Sequence, residues 1–69
     1  MKKFNIEIAS VPDKDNLVAE IWCENILIAE LSHEAEEIDI EFYINDTIKF
    51  NLKELIEIFE EARKKMLQL

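Results

Sequence analysis

The side chains able to do chemistry in this chain are mostly carboxylates. Glu34, Glu36, Glu37, Asp39 and Glu41 place five of them within eight positions. Trp22 and Tyr43, each an apolar ring with a polar tip, accompany them, with Glu20 close to the tryptophan in sequence. Aromatics ringed by charge are the usual make-up of a binding hot spot. An acidic run presents a negative surface to a basic partner, and such attraction adds association rate and specificity more than affinity. The same features also fit a sealed small core or homodimer seam around Trp22, with a solvated face that keeps an apolar domain soluble and blunts edge pairing.

Other combinations fail on spacing. Asp13, Asp15 and Glu24 imitate the first, third and twelfth positions of a calcium loop. Leu17 and Val18 occupy its fifth position and its glycine position, which breaks the match. Ser32 and His33 are neighbours, and neighbours on a strand point to opposite faces, so they do not pair as nucleophile and base. His33 is expected as an exposed turn residue. Cys23 has no basic neighbour to lower its pKa and is expected to behave as a small buried hydrophobe. No nucleophile, base and oxyanion donor come together, so neither an enzyme, a metal nor a cofactor is expected.

Composition narrows the field further. The chain has 69 residues, with sixteen Asp plus Glu against eight Lys plus Arg, a net charge of −8. It has no glycine and one each of proline, cysteine, histidine and tryptophan. Without glycine there is no dinucleotide fingerprint, phosphate loop or nucleophile elbow. One cysteine forbids an internal disulfide and suits a reducing cytoplasm. The acidic balance opposes direct binding to nucleic acid or anionic lipid. The longest apolar run, Ile26 to Ala29, is too short for a membrane span, and the first residues carry no signal-peptide core. At this length one domain is expected, burying about 60% of its unfolded surface.

The patterning predicts an α+β fold. Phe4, Ile6 and Ile8 alternate with polar residues in a strand over 3–10. Pro12 and its neighbours form a turn. The apolar stretch 17–32 predicts a hairpin, with strands over 17–23 and 26–32 and Asn25 as the left-handed residue of the turn. Regular pairing across that turn sets Cys23 opposite Ile26, Trp22 opposite Leu27 and Ile21 opposite Ile28. Ile38, Ile40, Phe42 and Ile44 alternate in a fourth strand over 38–44, and 47–50 suits a short fifth. From Leu52 to about residue 67 the apolar period becomes helical, with Asn51 as N-cap, Glu54 three residues on, and Glu60–Lys64 and Glu61–Lys65 spaced for ion pairs. The expected architecture is an antiparallel meander of four or five strands with one C-terminal helix packed on one face.

Regular pairing makes both faces of the hairpin apolar, while a single helix covers only one. An uncovered face with Trp22, Leu27, Leu31 and Tyr43 would then be an exposed apolar patch of the kind that marks an interface. The expected partner-binding set is Trp22, Tyr43, Glu20, Leu27, Leu31, Asp39 and Glu41, with Glu34, Glu36 and Glu37 as acidic surface.

The segment Phe4-Asn5-Ile6-Glu7-Ile8-Ala9-Ser10-Val11-Pro12-Asp13, followed by Asn16-Leu17-Val18-Ala19-Glu20-Ile21-Trp22, resembles small bacterial proteins of toxin-immunity type. The resemblance continues through Ala29-Glu30-Leu31-Ser32 and the final amphipathic helix. It implies a small, acidic, cytoplasmic protein that occludes a partner toxin. The function expected is thus non-enzymatic inhibition of a toxin or nucleic-acid-processing enzyme with a basic surface. The alternative is a homo-oligomerising structural or accessory module, dimeric through the sheet face that lacks the helix.

Overall fold

A computed structural model describes residues 3–69. Four strands, β1 (Phe4–Ala9), β2 (Val18–Cys23), β3 (Ile26–Ser32) and β4 (Asp39–Phe42), precede one helix, α1 (Leu52–Leu67). The strands pair in chain order as an antiparallel meander. The fold is α+β, with the helix packed on one face of the sheet. Asn51 is the N-cap, its Oδ1 accepting a hydrogen bond from the Glu54 N–H at 3.0 Å. This satisfies one of the donors that a helix start leaves unpaired. In the last turns Glu60 pairs with Arg63 at 3.8 Å, three residues on, instead of with Lys64.

The central hairpin departs from regular pairing. Cys23 faces Ile26 and Trp22 faces Leu27, but Ile21 then faces Ala29, so Ile28 is an extra residue at a β-bulge. The turn is also different: Glu24, with φ of 58°, is the left-handed residue and not Asn25. The bulge reverses the facing of everything after it, because strand side chains alternate with period two. Ala29 and Leu31 turn under the helix, and Glu30 turns away from it.

The buried core lies in two clusters bridged by the half-buried Phe4 and Phe59. Ala62 and Met66 press on Ala19, Ile21 and Leu31, with Phe4, Ile6, Ile38, Ile58 and Phe59 around them. Cys23, Ile28 and Ala29 form a second cluster, closed by Phe4, Ile44, Phe50 and Phe59. Leu31, expected on the uncovered face, is instead 4% exposed in the first cluster. Cys23 is buried, as a small apolar side chain would be.

No fifth strand forms over 47–50. Phe50 packs on Phe4 with ring centroids 5.6 Å apart, and Ile44 joins the same cluster. Burying these side chains beneath the sheet takes the segment away from the edge of β4, which ends at Phe42.

The bulge separates two isoleucines that regular pairing would place together. Ile28 is 1% exposed and Ile26 is 55% exposed. Ile28→Ala is expected to cost about 2–5 kcal/mol and Ile26→Ala under about 1 kcal/mol, measured by urea unfolding. Equal costs would show that the hairpin pairs without the bulge.

Candidate binding face

The pairing register carries four glutamates across the sheet in one line. Glu7 faces Glu20, Glu20 faces Glu30, and Glu30 faces Glu41. Directly opposed residues share a face, so all four lie on the side away from α1. Trp22 and Leu27, paired with each other, follow beside Glu20 on this face. Asp39 extends it along β4, and Tyr43, one residue past the end of that strand, joins it through its hydrogen bond to Glu41. The face is thus acidic with aromatic and aliphatic neighbours, and not the broad apolar patch that regular pairing implied.

Like charges directly opposed destabilise a sheet by roughly 0.2–1 kcal/mol a pair. Three local contacts moderate this here. Lys14, from the loop between β1 and β2, reaches over the face and places its Nζ 3.3 Å from Glu30 Oε1. Glu30 is only 6% exposed, and a buried carboxylate needs such a partner. Trp22 Nε1 donates to Glu20 Oε1 at 3.2 Å, and Tyr43 Oη donates to Glu41 Oε1 at 2.9 Å. The Glu30 carboxylate holds the Lys14 ammonium above its ordinary pKa, with Asp13 reinforcing the effect and desolvation opposing it.

The loop that delivers Lys14 is itself tied down by a carboxylate. Glu34 accepts from the Asp15 N–H at 2.7 Å and from the Asn16 N–H at 3.1 Å, one bond to each oxygen. Asn16 Nδ2 donates to the His33 carbonyl at 2.9 Å. Glu34, expected as open acidic surface, therefore fastens one loop to another. Glu36 and Glu37 remain exposed, with His33 Nε2 lying 3.1 Å from the Glu36 carbonyl.

Of the expected partner-binding set, Trp22, Tyr43, Glu20, Leu27, Asp39 and Glu41 share the open face, and Leu31 does not. Glu7, Glu30 and Lys14 belong to the face without having been singled out in the sequence. Glu7 was legible, since its facing follows from the alternation of the first strand. Glu30 needed the bulge, and Lys14 needed the path of the loop.

Carboxylates on successive strands stand about 5 Å apart at the backbone, and two of the four already bond to aromatic side chains. Among the described residues, no three His, Cys, Asp or Glu side chains are grouped to hold a metal. Nor is any helix among them long and apolar enough to cross a membrane. No family model, curated protein or solved structure matches this chain.

Tyr43 reports on this face, being the one tyrosine in the chain. Its hydrogen bond to Glu41 raises the phenol above its ordinary pKa, helped by desolvation and by the charges of Glu30 and Glu41 and opposed by Lys14. The phenolate absorbance should titrate above about 10, and Glu41→Ala should bring the midpoint down towards that value. With the folded value raised, this stabilisation is complete below about pH 10 and is lost as pH rises through the folded value. An unchanged midpoint in Glu41→Ala would remove the Tyr43–Glu41 bond from the account.

Proposed function

We propose that this chain is a non-enzymatic binding protein that captures a basic protein partner on its open sheet face, occluding it as immunity-type inhibitors occlude a toxin. The observation that carries the reading is the line of Glu7, Glu20 and Glu41 on either side of the pair that Lys14 makes with buried Glu30, bordered by Trp22, Leu27 and Tyr43. A domain of this size has little stability to spare, and opposed glutamates on central strands lower it. Lysine or arginine side chains from a partner relieve that repulsion, so binding recovers what the free protein lacks. Trp22 supplies the large, partly buried ring that anchors such interfaces. The partner proposed is a toxin or a nucleic-acid-processing enzyme, the class that the resemblance to toxin-immunity proteins implies.

Charge also bears on self-association. Two copies meeting by their open faces would set Glu7, Glu20 and Glu41 of one against the same three of the other, since Lys14 in each is already engaged with its own Glu30. A basic partner is complementary where a second copy is not.

The test is affinity capture from host lysate with stepwise salt elution, followed by association kinetics on the basic protein recovered. Trp22→Ala should weaken capture by more than about 1–2 kcal/mol while the far-UV circular dichroism stays native. Glu20→Gln with Glu41→Gln should slow association and flatten its dependence on salt. Wild-type affinity in folded Trp22→Ala, together with an unchanged salt slope in the glutamine variant, would overturn the reading.

A further inference from the structure

β4 is an end strand of the sheet, and among the described residues no other strand pairs with its outer side. The Tyr43 N–H donates to the Ile28 carbonyl at 2.8 Å, which sets the alternation along β4. Tyr43, Glu41 and Asp39 turn their backbone groups towards β3, while Ile40 and Phe42 turn theirs outwards. Outward N–H and C=O groups are a template for a further strand.

The side chains of this edge divide by face. Asp39 and Glu41 stand on the open face, in line with Glu30 and its neighbours. Ile40 and Phe42 stand on the helix face, yet they remain 42% and 55% exposed. They are exposed because α1 packs over β1 and β2 more closely than over β4. Phe42 touches Phe59 edge-on, and between α1 and β4 runs an open groove of about 550 Å³, its floor made by Ile38, Ile40 and Phe59 and its rim carrying the charged Glu36, Glu37 and Arg63. The opposite edge differs. On β1 the helix-side residues Phe4 and Ile6 are half-buried beneath the helix, leaving Ile8 alone exposed on that side, and the open face offers a single carboxylate, Glu7, beside uncharged Asn5.

We propose that β4 receives an extended segment of the partner as a fifth, antiparallel strand, in which basic side chains alternate with apolar ones. The inference rests on the basic-partner reading and specifies how that partner is held. Apolar side chains at every second position lie beside Ile40 and Phe42 and fill the groove against Phe59. The basic ones between them lie beside Asp39 and Glu41 and extend the line of glutamates with the opposite charge. Main-chain bonds to Ile40 and Phe42 supply affinity, and the alternation supplies specificity. A second copy of β4 is the wrong occupant. Twofold pairing of two such edges sets Glu41 opposite Glu41 or Asp39 of the other copy and joins two acidic lines end to end.

The probe is a nine-residue peptide of alternating lysine and valine, blocked at both ends, titrated at low salt into the isotopically labelled full chain. Hydrogen exchange of the Ile40 and Phe42 amides should slow at least tenfold on saturation. A peptide N-methylated at its valines loses the donors that face β4 in antiparallel addition and should bind at least tenfold more weakly. Equal affinity for that peptide overturns strand addition, as does absence of binding. Shifts confined to Trp22 and Leu27, with Ile40 and Phe42 unprotected, also overturn it while leaving capture by the open face standing. Ile40 and Phe42 amides already protected in the free protein, together with sedimentation as a dimer, would assign the edge to a second copy.

Discussion

The arrangement depends on one extra residue in the central hairpin. With regular pairing, Glu30 would face Ala19 beneath the helix, and Leu31 would face Val18 on the far side. The bulge at Ile28 exchanges these outcomes, giving Leu31 to the core under Ala62 and Met66 and Glu30 to the open face. It also lets Ile28 and Ala29, consecutive residues, enter the same buried cluster with Cys23. The seat of the helix and the line of glutamates are two consequences of that single irregularity.

A buried carboxylate in the middle of a sheet makes its own demand. Glu30 is satisfied by Lys14, and Lys14 is brought there by a loop whose backbone is held by Glu34. The acidic run of the sequence therefore has several physical jobs. Glu34 organises a loop, Asp39 and Glu41 join the open face, and Glu36 and Glu37 stay in solvent near the groove beside the helix. The neutralising lysine meets the centre of the line, while Glu20 and Glu41 bond to the neutral side chains of Trp22 and Tyr43 and keep their charge. That residual charge is what a basic partner would meet.

Much of this was legible in the sequence because period is a robust signal. The change from alternation to helical spacing at Asn51 marks the helix, and Asn51 caps it. The strand limits over 26–32 follow from the two-residue turn at Glu24-Asn25. The left-handed residue was not legible, since Asn usually takes that role and the hairpin twist here places Glu24 in it. The bulge was hidden for a related reason, as no glycine marks it. Its omission misplaced Leu31 and concealed Glu30. The expected fifth strand failed because Ile44 and Phe50 gain more by burial against Cys23, Ile28 and Phe4 than 47–50 gains by pairing at an edge.

The central claim is that the aligned glutamates oppose folding and are relieved by cations. Thermal unfolding of Glu7→Gln/Glu20→Gln/Glu41→Gln measures this directly, since glutamine keeps the hydrogen-bond acceptors used by Trp22 and Tyr43 and removes the charge. At low salt the midpoint of the triple variant should lie above that of the wild type by a few degrees, roughly what 0.5–1 kcal/mol gives in a domain of this size. The gap should narrow as salt screens the wild-type repulsion. A midpoint at or below the wild type at every salt concentration would contradict the account.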